Sequence, residues 1–243
     1  MQKTVVPDQQ SEWGKKQQVE KMFDSIAFRY DFLNRLLSFR IDTLWRKKVR
    51  KMLQGSRPEH ILDIATGTGD LAIELSRIPG VKITGLDLSQ GMLDRAAEKV
   101  KNKNLDHCIH LVKGDSEALP FQEHRFDAVT VAFGVRNFED LEKGLKEIHR
   151  VLKPEGQLLI LEFSKVKAFP IKQFYQLYFG YITPAIGRIF SRNRKAYSYL
   201  TESVKVFPEG EQMLVILRQC GFKQCICTPL TFGIASIYQA VRS

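Results

Sequence analysis

His60-Ile61-Leu62-Asp63-Ile64-Ala65-Thr66-Gly67-Thr68-Gly69-Asp70-Leu71 is the stretch that decides the fold. An apolar run fit for a buried strand carries an acid near its end and passes into a glycine-rich turn that opens a helix. A second apolar run, Ile83-Thr84-Gly85-Leu86, also ends on an acid, Asp87. Parallel strands finishing side by side in this way suit a nucleotide-like ligand laid across their ends. Glycines let the backbone come close, and the second carboxylate reaches the ribose hydroxyls.

The pattern repeats outward from this stretch. Strands are expected at 60–64, 82–87, 108–112, 126–133 and 157–163, with helices at 70–78, 90–101 and 140–152. Lys153-Pro154-Glu155-Gly156 reads as the stop between the last helix and strand. Strands separated by helices of this length form a parallel, doubly wound α/β sheet. A helix at 209–220 and strands at 222–228 and 234–242 close the chain. Only about five residues join these two strands, too few for a parallel crossover, so the last strand is expected to run antiparallel.

Two further segments flank this core. Residues 1–57 contain expected helices at about 15–28 and from Asp42 onward, after a polar start that lacks a signal peptide's apolar core and whose first dozen residues are expected to be disordered. Residues 165–208 form an insertion in which Phe169 to Phe190 carries only Lys172 and Arg188 as charges. Pro184, Gly180 and Gly187 argue against a membrane span there, and an aromatic lid over an apolar cleft, with some membrane contact, is expected instead. The division is thus a helical segment at 1–57 expected to contribute to the substrate cap, a nucleotide-binding core at 58–164, the insertion at 165–208, and a closing unit at 209–243.

The net charge of +10 is unevenly placed. Residues 1–60 carry +6, residues 61–164 carry −4, and residues 165–205 carry +7. Basic flanks around an acidic core suit a nucleic-acid enzyme, a protein resting on an anionic membrane, or a merely solubilised surface. Cys108, Cys220, Cys225 and Cys227 make no C-x-x-C pair and read as buried small hydrophobes in a reducing cytoplasm. No His/Asp/Glu cluster has metal-ligand spacing, so no metal is expected.

Two cofactors compete for the glycine loop. Gly67-Thr68-Gly69-Asp70-Leu71-Ala72 fits the dinucleotide fingerprint G-x-G-x-x-G/A, which would make the chain a nicotinamide oxidoreductase. Asp70, however, would set a negative charge beside a pyrophosphate on the helix N-terminus. Together with Asp63, it suits the ammonium and sulfonium of S-adenosylmethionine. A plain helix-capping role accounts for Asp70 but poorly for the pair.

Four stretches resemble one family. Tyr30-Asp31-x-Leu33-Asn34-x-x-Leu37-Ser38 with Trp45 resembles the first signature of the ubiquinone/menaquinone biosynthesis C-methyltransferases. Arg150-Val151-Leu152-Lys153-Pro154-Glu155-Gly156-Gln157-Leu158, continuing through Leu161-Glu162-Phe163-Ser164, resembles the second. Phe133-Gly134-Val135-Arg136-Asn137 and Tyr197-Ser198-Tyr199-Leu200-Thr201-Glu202-Ser203 are also similar to family stretches. The resemblance covers about residues 20–242 and implies a class I S-adenosylmethionine-dependent methyltransferase fold. The chain departs from the family at Ala132, where Ser is frequent, at Asp42, where His is usual, and at Arg40 and Glu155, where Gly is usual.

The resemblance implies methyl transfer from S-adenosylmethionine to a ring carbon of a prenylated quinol. Demethylmenaquinol is the expected acceptor and a methoxy-benzoquinol the alternative. The cofactor site is expected to comprise Asp63, Gly67, Thr68, Gly69, Asp87, Asp115 and Ser116. The five histidines all lie in the core's sequence. Arg136 is therefore expected to stabilise the quinolate, Asn137 to orient it, and Tyr30, Asp31 or Tyr197 to relay its proton. A salt bridge to a nearby carboxylate is the competing role for Arg136. A transient anionic membrane surface, no nucleic acid, and a cytoplasmic, peripheral location complete the expectation, with the oligomeric state open.

Overall fold

Residues 5–38, 40–166, 173 and 194–243 are described by a computed structural model, without the side chains of residues 29, 32–37 and 194–197. Helices α1 (Lys15–Leu37) and α2 (Ile41–Gln54) precede the alternating core of β1 (His60–Ile64), α3 (Asp70–Leu75), β2 (Lys82–Asp87), α4 (Gln90–Asn102), β3 (Ile109–Lys113), β4 (Phe126–Ala132), α5 (Leu141–Val151) and β5 (Leu152–Phe163). After α6 (Arg194–Val206) and α7 (Glu211–Gln219) come β6 (Phe222–Leu230) and β7 (Ala235–Arg242).

The seven strands form one sheet in the order β3-β2-β1-β4-β5-β7-β6. Only β7 runs antiparallel to its neighbours, as the short β6–β7 connection requires. Apolar residues cover both faces. Leu62, Ile64, Val129 and Ile160 pack with α5 and α7 residues such as Ile148 and Leu217 on one face. Ile61, Ile83, Ala128 and Leu159 pack with Trp45 and Val49 of α2 and Leu75 of α3 on the other. A third cluster joins Val19, Met22 and Ile26 of α1 to Met92 of α4 and Tyr199 of α6, docking α1 across the sheet's end.

Several boundaries differ from expectation. α1 continues to Leu37 rather than stopping near residue 28, because neither Gly nor Pro interrupts that run. α3 ends at Leu75, ahead of Ile78-Pro79-Gly80, where the proline disfavours helix in the residue before it. Lys153–Gly156 does stop α5, yet it lies within β5 as a bulge, with Phe126 facing Leu152 and Ala128 facing Gln157. Only Cys220 is buried among the four cysteines. Cys225 and Cys227 lie on β6, at the sheet's edge, and are half-buried, as is Cys108. Among the described residues no helix is long and apolar enough to cross a membrane. The aromatic stretch 169–190 lies outside the described residues, apart from residue 173.

Two of the departures from the resembled family fall on left-handed backbone. Arg40, the N-cap of α2, has φ 62°, and Glu155 in the β5 bulge has φ 61°. A side chain is strained there and glycine is not, although glycine costs more entropy when the chain folds. Glu155 gains only an exposed ion pair to Lys223 at 2.6 Å, a contact of little worth. Arg40→Gly and Glu155→Gly should therefore each stabilise the fold by about 0.5–1 kcal/mol, additively because the sites are far apart. Chemical denaturation checks this, and a lowered midpoint in either variant contradicts it.

Candidate active site

The sheet order places β2 on one side of β1 and β4 on the other, so the connections leave in opposite directions and a crevice opens between them. Both turns at the crevice are left-handed in non-glycine residues, Ala65 at φ 52° after β1 and Phe133 at φ 57° after β4. They pass so closely that a Cβ on Gly134 would sit 2.4 Å from the Cβ of Ala65. Backbone held in such strain is a feature of functional sites.

A cleft of about 710 Å³, counting space open to solvent, fills this crevice. The strand order sets its two ends. Gly67, Asp87, Asp115 and Ser116 line the β1–β2–β3 side, and Phe133, Gly134 and Asn137 the β4 side. Val19, Phe23 and Tyr30 of α1 form a wall over both.

The glycine loop is braced from beneath. Thr66 N–H donates to Leu86 O at 3.0 Å and Gly67 N–H to Asp87 Oδ2 at 2.7 Å, tying the turn to the end of β2. Asp87 Oδ1 also accepts from Ser89 N–H at 2.9 Å. Asp87 lines the cleft, yet the surrounding protein removes enough water to push its carboxyl up to about 6 despite these bonds. The remaining acceptor capacity of Asp87, the adjacent glycine backbone, and the apolar Leu88 and Met92 suit a ribose and a purine.

Other expected cofactor residues are placed differently. Asp63 is 1% exposed and turns under the loop, accepting from Thr66 Oγ1 at 2.6 Å and Thr130 Oγ1 at 2.7 Å. Burial pushes its carboxyl up to about 6. Thr68 donates to Asp31 Oδ1, and Gly69 caps α3, with its missing Cβ facing Ala96. None of these three lines the cleft. Asp70 pairs with Lys99, and Arg46 lies 3.6 Å away, so the charge expected to attract a cationic ligand is met within the protein. Asp115 lines the cleft as expected and also accepts from Lys16 Nζ of α1 at 2.7 Å.

The expected catalytic residues separate in the same way. Arg136 is turned inward, with Nη1 2.8 Å from Glu162 Oε1 and a further bond to Phe133 O. Its positive charge is matched in a buried pair, the competing role that the sequence also allowed, and it clamps the β4 turn from beneath. Asp31 joins α1 to the core through Thr68 and Lys99 and is absent from the cleft lining. The side chain of Tyr197 lies outside the description. Tyr30 and Asn137 do line the cleft.

Sequence reading missed Tyr199. It is 1% exposed and its hydroxyl donates to Asn137 Oδ1 at 3.1 Å, which leaves the Asn137 amide N–H groups to donate elsewhere. Burial pushes the Tyr199 hydroxyl up to about 12, so it stays a donor. The amino-terminal segment was expected to contribute to the substrate cap, and α1 does line the cleft through Val19, Phe23 and Tyr30, residues that recur at helical spacing with Met22 and Ile26. Glu117, 4% exposed, is a further organiser: it accepts from Glu139 N–H at 2.7 Å and lies 3.1 Å from Lys16 Nζ. Among the described residues no group of acids, histidines or cysteines is placed to hold a metal ion.

Known proteins with this arrangement are numerous. The chain is 46% identical to a demethylmenaquinone methyltransferase of Bacteroides fragilis, over 94% of each protein. It is 43% identical to one of Porphyromonas gingivalis over 96% of each. It is also 43% identical to the ubiquinone/menaquinone biosynthesis C-methyltransferase UbiE of Geobacter sulfurreducens, over 92% of this chain and 88% of that one. Among solved structures, an S-adenosylmethionine-dependent methyltransferase described as putative, from Methanococcus maripaludis, superposes with a TM-score of 0.65 at 20% identity, covering 91% of this chain and 94% of its own. A Thermotoga maritima S-adenosylmethionine-dependent methyltransferase reaches 0.63 at 18% identity, covering 92% and 99%. These two share the class I methyltransferase fold. Residues 11–242 match the description of one family throughout, and the chain belongs to the ubiE/COQ5 methyltransferase family.

Proposed function

We propose that this chain methylates a ring carbon of demethylmenaquinol, with S-adenosylmethionine as donor. The observation that supports this reading most is the single cleft running from Asp87 and Asp115 to Asn137 and the aromatic wall of Phe23, Tyr30 and Phe133. One end suits an adenosine and the other a flat apolar ring. The donor, when bound, supplies an already electrophilic methyl group, so this chain's residues must position and activate the acceptor and keep water out. The naphthoquinol is preferred over the methoxy-benzoquinol because the relatives at 43–46% identity from Bacteroides and Porphyromonas carry the menaquinone name. Comparing turnover of both quinols by purified protein tests the proposal. No methyl transfer to either defeats it.

A quinol hydroxyl loses its proton near pH 10 by analogy with tyrosine, so the ring oxygen needs a donor that favours its ionised form. With Arg136 matched by Glu162, that donor is the Asn137 amide, held in orientation by Tyr199. Tyr30 is assigned the proton exchange. Asn137→Ala should lower kcat by on the order of a hundredfold. Tyr199→Phe should lower it by about tenfold with the KM for S-adenosylmethionine unchanged. The double variant should be no slower than Asn137→Ala alone. Additive losses would mean that Tyr199 acts independently of Asn137.

Asp87 is assigned the ribose hydroxyls. Asp87→Ala should weaken S-adenosylhomocysteine binding by roughly tenfold to a hundredfold in calorimetry. With its carboxyl at about 6, protonation on going from pH 7 to pH 5 removes the acceptor, so affinity should fall by about tenfold over that range. Asp87→Asn should flatten this dependence, whereas an unchanged profile would assign it to Asp63, which titrates in the same window.

The acceptor's prenyl tail places it in a bilayer, so the enzyme works at a membrane surface. Arg188, Arg192, Arg194 and Lys195 of the insertion supply attraction to anionic lipid.

A further inference from the structure

We infer that the outer face of α2, together with the turn at Phe232, is a second surface by which this chain lies on an anionic bilayer. The inference rests on the prenylated acceptor proposed above. α2 carries Arg46, Lys47, Lys48, Arg50 and Lys51 within six positions, and the structure divides them by role. Arg46 pairs with Asp42 at 2.6 Å and Arg50 with Glu74 at 2.9 Å, both on the side turned to the core. Lys47, Lys48 and Lys51 make no ion pair among the described residues and surround a shallow depression together with Leu44 and Met52. Positions 44, 47, 48 and 51 share one helix face, opposite the buried Trp45, Val49 and Leu53.

The apolar part of this surface is as informative as the charge. Leu44 is 60% exposed, and Phe232 is 73% exposed. The turn that carries Phe232 is tied to α2, because Trp45 Nε1 donates to Thr231 Oγ1 at 2.8 Å. Phe232 holds its ring outward from a left-handed backbone, φ 58°, where glycine would be cheaper and where the ring adds nothing to the buried cores. On the inner side of α2, the Trp45 ring lies 6.0 Å from Phe133, which lines the cleft.

Exposed leucine beside three lysines without an ion pair among the described residues, with an exposed phenylalanine on the adjoining turn, matches a bilayer, whose headgroups take the charge while its acyl boundary takes the apolar side chains. A nucleic-acid duplex would use the lysines and leave both apolar groups in water, and a single strand, which stacks bases on aromatic rings, would still leave Leu44 without a partner. An acidic protein would do the same unless it carried a matching apolar patch.

The test uses the full chain and vesicles of phosphatidylglycerol and phosphatidylcholine, with pure phosphatidylcholine vesicles as the uncharged arm. Cosedimentation of the K47Q/K48Q/K51Q variant should show affinity reduced by on the order of a hundredfold at low salt, about fivefold per lysine. The L44S/F232G variant should lose the fraction of binding that survives high salt; glycine at 232 also relieves the backbone, which keeps the variant folded. Both variants should turn over a tail-less quinol like the unmodified chain and show a raised KM for a long-tailed quinol in vesicles. An R192Q/R194Q/K195Q variant that loses binding while the α2 variants keep it would overturn the inference. So would absence of vesicle binding by the unmodified chain, or lysine-dependent binding to single-stranded RNA with no binding to lipid. Turnover of the tail-less quinol reads the proposed reaction separately: its absence in the unmodified chain defeats that proposal whatever the vesicles show.

Discussion

Everything in the cleft depends on how β1 and β4 part company. The two strands are hydrogen-bonded neighbours as far as Ile64 and Val131, after which their chains must diverge. Divergence is achieved by reversing the backbone at Ala65 and Phe133 and by having no side chain at Gly134, so that the turns pass within contact distance. The strain is held from below by two buried polar groups. Asp63 gathers the hydroxyls of Thr66 and Thr130, and Arg136 binds Glu162 and the carbonyl of Phe133. Removing one partner of the Arg136–Glu162 pair would leave an uncompensated buried charge, a cost of about 3–5 kcal/mol. The site's shape is thus maintained by groups that never face it.

Much of this was legible in the residues themselves. Alternating apolar runs and helices revealed the parallel sheet, and the short link around Pro229–Gly233 revealed the antiparallel last strand. The glycine loop and the acids ending β2 and following β3 pointed to the cleft, and Gly67, Asp87, Asp115 and Ser116 do line it. What stayed hidden was which charges are answered from within. In sequence Asp70 reads as a charge awaiting a cationic ligand, because its partners, Lys99 and Arg46, lie 29 and 24 residues away on other helices. Arg136 was ambiguous for the same reason, since Glu162 becomes its neighbour only when β4 and β5 pair. Spacing along a chain reports periodicity well and long-range ion pairing not at all.

The tyrosines illustrate the same limit. Tyr197 and Tyr199 stand two apart in one segment, and nothing in composition distinguishes them. Only the docking of α6 against the turn after β4 sets Tyr199 on Asn137. Arg40 and Glu155 are the opposite case. Departure from the family's glycines was visible in the sequence, but its meaning came from φ: both are places where the backbone turns left-handed and a side chain is carried at a cost.

α1 has a consequence of another kind. It walls the cleft through Val19, Phe23 and Tyr30, and it is fastened by Lys16 to Asp115 and Glu117, by Asp24 to Ser89, and by Asp31 to Thr68 and Lys99. Ser89, Asp115 and Glu117 themselves line the crevice, and Thr68 stands in the glycine loop beside Gly67, which does. Docking of the amino-terminal helix and occupancy of the crevice are therefore linked equilibria, each altering the other by the same factor. The first helix is in this sense a subunit of the binding site that happens to be covalently attached.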